Sequence, residues 1–352
     1  MAIIHKKTGN FLEDFEIGAV LRHKVGKTVT EGLVNAFTEF SMTTNPLHKN
    51  RRYAELYGYH DQVLPPGLVM ATVFSQSVED ISENARANLE YIDMRFGAPV
   101  YVGDTLESTS VVLGVTPSSK DKSLGVVHVQ TTGRNQHDEV VLTYERKVQV
   151  WKNDIEAPVV KDSRAAPPVA CELVLPPYDP ARPYRSLAHL SNADTYFEDF
   201  RAGDIIEHSR GRTMTSEHIA LTAMLDNTSQ VHCNQHMIAQ NPERFVGGQL
   251  IIFGGIPFQL CLGLSCPDVA DNSLGDISYR TGKHTAPLFA GDTVFASTEI
   301  TANRDYPGRP DLGVVDTILR GYKFGSRNGT QEKIEIFYLE RSLAVKRRSH
   351  YA

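Results

Sequence analysis

Apolar residues recur at a helical spacing over residues 32–42, where Leu33, Val34, Ala36, Phe37 and Phe40 follow Thr30-Glu31. Asn45-Pro46 ends that run, because a proline disfavours the α conformation of the residue before it. Pro65-Pro66-Gly67 then leads into Leu68, Val69, Met70, Ala71, Val73 and Phe74, apolar almost all round, as in a helix buried on most faces. After Glu90 the rhythm changes. Segments 91–96, 106–113, 125–132 and 140–151 are separated by Gly-Asp, Pro-Ser-Ser and Gly-Arg-Asn turn chemistry, which predicts antiparallel strands. One buried helix followed by long strands describes a sheet wrapped around a helix, an α+β unit.

The same order returns later in the chain, with a buried helix over 249–264 and strands over 293–302, 313–322 and 333–346. Short words return with it. Glu13-Asp14-Phe15-Glu16-Ile17-Gly18 matches Glu198-Asp199-Phe200-Arg201-Ala202-Gly203 at an offset of 185 (203 − 18), and Gly103-Asp104-Thr105 matches Gly291-Asp292-Thr293 at 188 (291 − 103). Leu124-Gly125-Val126-Val127 matches Leu312-Gly313-Val314-Val315, and Glu145-Arg146 matches Glu340-Arg341. The chain is therefore a tandem duplication. Between the copies, Pro158, Pro167, Pro168, Pro176, Pro177, Pro180 and Pro183 exclude a long helix or central strand and predict an extended surface linker. The expected boundaries are 1–152, 153–190 and 191–352, with the two copies pairing as a pseudo-dimer that covers otherwise open sheet edges. Association of whole chains into a homodimer stays open.

A formal charge of −6 with scattered Lys and Arg leaves no basic footprint for nucleic acid. The start, Met1-Ala2-Ile3-Ile4-His5-Lys6-Lys7, lacks a signal-peptide core, and the most apolar stretch, 250–266, is interrupted by Pro257 and Gln259, so no membrane span is expected. Cys171, Cys233, Cys261 and Cys266 have neither metal-ligand spacing nor disulfide density, which suits a cytoplasmic protein.

The chemistry concentrates in Phe40-Ser41-Met42-Thr43-Thr44-Asn45-Pro46-Leu47-His48, with Ala54 six residues on. This stretch, with Arg95-Phe96-Gly97-Ala98-Pro99 and Gly103-Asp104-Thr105, resembles the MaoC-like hot-dog enoyl-CoA hydratases, and most closely the mesaconyl-CoA (2-methylfumaryl-CoA) hydratases, also called β-methylmalyl-CoA dehydratases. The resemblance implies a double hot-dog fold. It also implies a metal-free and cofactor-free hydro-lyase that interconverts 2-methylmalyl-CoA and 2-methylfumaryl-CoA, in a route of carbon assimilation such as the 3-hydroxypropionate cycle. Hydration of a conjugated thioester needs a base for the water, an acid for the α-carbon and donors for the enolate oxygen. His48 and Asn45 are the expected proton-handling and positioning groups, and the Gly67 amide at a helix start is the expected oxyanion donor.

The family carries an aspartate two residues before the asparagine, where this chain has Thr43, which cannot act as a carboxylate base. The second copy reads Asp226-Asn227-Thr228-Ser229-Gln230-Val231-His232; a one-residue shift would bring Asp226 to the aspartate's place beside His232. The first copy is the favoured location of the site. Thr44, Lys49, Arg51, Arg52, Arg95, Tyr59 and His60 are candidates for binding the CoA thioester or a substrate carboxylate. The Gly-Asp pairs are read as turns. Rival readings are another R-specific enoyl-CoA hydratase, a hot-dog thioesterase, and a non-catalytic acyl-CoA-binding module.

Overall fold

The computed structural model describes residues 8–242, 244–327 and 330–352; Met1 to Lys7, the stretch considered for a signal peptide, lies outside the described residues. The first half runs β1 (Val20–Arg22), β2 (Lys27–Thr28), α1 (Glu31–Phe40), α2 (Arg51–Leu56), α3 (Pro66–Gln76), β3 (Ala85–Phe96), β4 (Thr105–Pro117), β5 (Leu124–Arg134) and β6 (Val140–Trp151). A two-residue strand β7 (Asp162–Ser163) lies in the linker. The second half runs β8 (Ile205–Thr213), α4 (Glu217–Met224), α5 (Gln235–Gln240), α6 (Gly255–Ser265), β9 (Ser273–His284), β10 (Thr293–Asp305), β11 (Leu312–Arg327), β12 (Thr330–Lys346) and α7 (Arg348–Tyr351).

All strands join one antiparallel sheet in the order β1-β4-β5-β6-β3-β9-β12-β11-β10-β8, with β2 and β7 pairing β4. Each half wraps its own buried helix, α3 or α6, which is the double hot-dog arrangement. Fully burying a Leu, Val, Met or Phe stabilises by about 1.5–3 kcal/mol, and both helices are buried along nearly their whole length. The halves meet where β3 pairs β9, with Tyr91 opposite Gly282 and Met94 opposite Tyr279. At the offset of 188 these pairs exchange (91 + 188 = 279; 94 + 188 = 282), so a pseudo-twofold axis passes between the strands. The helices α3 and α6 pack against each other across the same axis.

Several elements differ from their expected bounds. Helix α1 stops at Phe40 because Met42 takes a left-handed φ of 59° and Thr43 N–H turns back to the Thr38 carbonyl, which swings the following segment inward. Helix α6 begins at Gly255, not at 249: Ile252 is held extended by donating its N–H to the Leu288 carbonyl. The short or largely exposed strands β1, β2 and β8 carry too little alternation to be foreseen, and β9 is rich in polar residues although central. Gly103 and Gly291 do turn the chain, at φ of 95° and 99°, with Asp104 and Asp292 accepting from the backbone three residues earlier.

The linker is pinned rather than free. Ser163 pairs Gly114 and Val174 N–H donates to the Gly97 carbonyl. Cys171 is buried against β3, with its thiol donating to the Arg95 carbonyl. Tyr184 and Leu187 are buried with Tyr53, Tyr57 and Tyr351. Apolar side chains among the prolines hold an otherwise irregular segment down. No described helix is long and apolar enough to cross a membrane.

Candidate active site

The motif segments of the two copies superpose at an offset of 184: Met42 on Asp226, Thr43 on Asn227 and His48 on His232. Both Met42 and Asp226 are left-handed (φ 59° and 58°), and Thr43 and Asn227 donate to the equivalent carbonyls of Thr38 and Thr222. The histidines are held alike. His48 Nδ1 lies 2.9 Å from the Val63 carbonyl and His232 Nδ1 2.8 Å from the Ile251 carbonyl. A carbonyl only accepts, so the neutral ring carries its proton on Nδ1 and leaves Nε2 as the free base. Burial lowers the pKa of both, that of His232 to about 4.

Around His48 the space is almost closed, a void of about 30 Å³ that also touches Thr43, Asn45, Asp276 and Arg341. Asn45 is fully engaged: its amide donates to the carbonyls of Ala270 and Ser273, and its oxygen accepts from Leu47 N–H. Gln259, from α6, occupies the approach to Gly67. A Cβ on Gly67 would lie 1.8 Å from Gln259 Oε1, and the amide donates to Ser41 and Thr43 at 3.1 and 3.2 Å. Thr43 is further tied to Ser41 at 2.7 Å. Asp276 and Arg341 form a buried bidentate pair, 2.8 and 2.9 Å, with Tyr279 donating to the same carboxylate.

Around His232 the picture reverses. The dyad mate of Gln259 is Ala71 (259 − 188), the space over Gly255 is taken by the Phe253 ring instead, and a cavity of about 290 Å³ opens beside His232. Its wall includes His232, Asn227, Ser229, Gly254, His284 and Phe253. Asn227 Oδ1 accepts from Ser229 N–H at 3.0 Å, which fixes the amide so that Nδ2, without a protein partner, is the free donor. Gly254 and Gly255 start α6, where the first amides have no acceptor within the helix. Gly254 must lack a side chain, since a Cβ there would lie 2.6 Å from His284 Nε2. Burial lowers the His284 pKa to about 4 as well.

Of the residues singled out in the sequence, Thr43, Asn45 and His48 meet at the small void beside the sealed Gly67, and His232 lines the large cavity. Asp226 does not join His232. Its left-handed backbone sends the carboxylate to Lys27, and Asn227 stands in the position the shift would have given it. Thr44 donates to Asp271 at 2.5 Å and Tyr59 to the Leu274 carbonyl. Lys49 pairs with Glu39, Arg51 with Asp61 and Arg95 with Asp93, all at the surface; Arg52 is exposed and His60 lies over Tyr101. None of these seven lines either cavity. Sequence reasoning missed Gln259, Ala71, Asp276, His284 and Gly254; only the offset of 188, applied to the two buried helices, would have set Gln259 against Ala71.

A family model described as mesaconyl-CoA hydratase matches residues 3–323. The chain is 39% identical over 312 residues to a β-methylmalyl-CoA dehydratase of Chloroflexus aurantiacus, covering 87% of this chain and 86% of that one. It is 32% identical over 322 residues to a mesaconyl-CoA hydratase of Cereibacter sphaeroides, covering 90% of each. A solved MaoC-domain dehydratase from Chloroflexus aurantiacus superposes with a TM-score of 0.85 at 34% identity, over 97% of this chain and 98% of that one. With the tandem helices, the paired motif histidines and these matches together, the chain belongs to the mesaconyl-CoA hydratase family.

Proposed function

We propose that this hydro-lyase interconverts 2-methylfumaryl-CoA and 2-methylmalyl-CoA, and that the reaction takes place at His232 in the second copy. The observation that carries the location is the difference in space: about 30 Å³ remains beside His48, where Gln259 covers Gly67, whereas about 290 Å³ opens beside His232. That volume approaches the range of small-ligand sites, while about 30 Å³ holds one water.

In the hydration direction, a water donates one proton to His232 Nε2 while its oxygen accepts from Asn227 Nδ2–H. The hydroxide adds to the β-carbon. Electron density moves to the thioester oxygen, which the free amides at the start of α6 receive. The imidazolium then returns the proton to the α-carbon, restoring the neutral ring. A ring depressed to about 4 is a weak base but remains unprotonated at neutral pH, and its conjugate acid is strong enough to protonate the enolate carbon. Asn227 thus orients the water from the place where the family motif has an aspartate, and the histidine alone carries the proton.

A second reading retains the first copy, because Asp276 lies beside His48 and offers a carboxylate in place of Thr43. The two readings separate in one experiment. His48→Ala and His232→Ala each remove one hydrogen bond to an equivalent carbonyl, so their structural costs are matched. Loss of enoyl-thioester absorbance with 2-methylfumaryl-CoA should fall by ~10²–10⁴ in His232→Ala and remain near wild type in His48→Ala. The opposite pattern assigns the reaction to the first copy. We further propose a cytoplasmic role in carbon assimilation, supported by four unpaired cysteines, and a homodimer of whole chains, to be tested by sedimentation.

A further inference from the structure

Arg146 and Arg341 are dyad mates with unequal surroundings. On β12 and β9, Arg341 stands opposite Tyr279 and Leu343 opposite Asp276; on β6 and β3, Arg146 stands opposite Tyr91 and Val148 opposite Asn88. Asn88 therefore occupies, relative to Arg146, the register position from which Asp276 neutralises Arg341 (276 − 188 = 88). Arg146 has no such acid. It is 0% exposed, lies 4.3 Å over the Phe74 ring, and donates from Nη2 to Ser77 at 2.9 Å. Its Nε and Nη1 have no protein partner, and neither has either amide atom of Asn88. Asn88 and the Phe74 ring on which the guanidinium rests both line the large cavity.

A buried cation without a counter-charge is strongly unfavourable, and burial accordingly depresses the Arg146 pKa. The fold shows what would relieve it, since the other half places a bidentate carboxylate at the equivalent point. We propose that the substrate brings this acid: Arg146 and Asn88 receive the free carboxylate of an acyl-CoA that carries one at the end remote from the thioester. The inference rests on the location of the site at His232 and names the group that selects the acyl chain there. Replacing an aspartate by an asparagine keeps the shape of the pocket while transferring the negative charge from protein to ligand. A planar guanidinium suits that task through paired hydrogen bonds.

Because removing the guanidinium puts the core at risk, the test variant is Asn88→Asp, which recreates a pair the same fold already accommodates. Binding of succinyl-CoA and butyryl-CoA, thioesters of equal chain length with and without the carboxylate, is measured by calorimetry. The wild type should prefer succinyl-CoA by at least about tenfold, a charge-assisted bidentate contact, and Asn88→Asp should abolish or reverse the preference. An equal affinity in the wild type, or a preference that survives in Asn88→Asp, overturns the proposal. Turnover of 2-methylfumaryl-CoA by wild type and His232→Ala is recorded beside it. Retained turnover in His232→Ala, with the preference intact, would refute the catalytic assignment and leave the carboxylate pocket standing.

Discussion

If a glutamine reaching from the partner helix closes the first copy, supplying one to the second copy at Ala71 and removing Gln259 from the first should have unequal consequences. In Ala71→Gln the new side chain enters the niche beside Gly255 and points, as Gln259 does in the other half, toward the motif segment. There Gln259 meets Ser41 and Thr43; here the equivalents are Leu225 and Asn227. Asn227 Nδ2 is a buried donor without a protein partner, so an incoming amide oxygen would accept its hydrogen bond and the water-holding donor would be lost. The ring of Phe253, which a Cβ on Gly255 would approach to 2.6 Å, has to shift, an overpacking cost of about 1–3 kcal/mol offset by the new hydrogen bond at about 1 kcal/mol. The protein should fold with a slightly lowered Tm while kcat/KM for 2-methylfumaryl-CoA falls by at least ~10², the lower end of general acid–base contributions. Gln259→Ala removes roughly 60 Å³, about 1.4 kcal/mol of cavity cost, partly offset because Gln259 Oε1 is an unsatisfied buried acceptor. Its activity should remain within about twofold of wild type, well under one tenfold step of 1.4 kcal/mol. Initial rates with circular dichroism on the same samples decide the matter. A folded Ala71→Gln with wild-type kcat/KM would refute the assignment of the chemistry to the large cavity.

The pH dependence follows from the buried ring. With His232 depressed to about 4 the base is neutral above that value, so kcat/KM should be flat from pH 8 to about 5 and fall below it with a midpoint near 4; a midpoint near 6.5 would place the base elsewhere. Stability has the same sign: between 6.5 and 4 the unfolded ring binds a proton that the folded ring does not, so stability conferred by the neutral ring above pH 6.5 is lost as pH falls toward 4, readable as a declining Tm. Asp276→Ala leaves Arg341 buried without its acid and should destabilise by about 3–5 kcal/mol in chemical denaturation. A loss of activity in that variant without a loss of stability would instead favour the first copy.

Much of the architecture was legible because burial leaves a periodic trace. The apolar run after Pro65-Pro66 gave α3, alternation gave the long strands, and the repeated words gave the dyad. Strand β9 left little trace, since Asp276 and Ser273 belong to polar clusters that only partners from β12 and the motif segment complete. The site was legible as to chemistry but not as to place. Both histidines could be named in advance, yet what separates them is the space beside each, which contacts between segments distant in sequence decide. Asp226 was misplaced for a local reason: a sequence shift of one residue looks small, but the left-handed turn shared with Met42 fixes the register and turns the carboxylate outward.

The two halves also explain why Asn45-Pro46-Leu47-His48 is the better motif and yet the closed site. Asn45 bonds the carbonyls of Ala270 and Ser273, and Thr44 bonds Asp271, so the first motif clamps the segment that leads from α6 into β9. Ser229 and Thr228, the corresponding residues of the second copy, do not reproduce this grip: the Thr228 hydroxyl donates to the half-buried Glu83, and Ser229 has a free side chain beside the cavity. A motif used as a clamp is held rigid by every partner it satisfies, whereas a catalytic pocket needs polar atoms left for substrate and water. In this chain Asn227 Nδ2 and the amide of Asn88 are left unpaired at the cavity that His232 lines, with Nε and Nη1 of Arg146 unpaired behind the Phe74 ring of its wall. The polar groups around His48 are largely consumed by one another. On the proposed assignment of the chemistry to His232, divergence of the duplicated halves separates two roles, with bonding concentrated in one copy and unmet bonding capacity in the other.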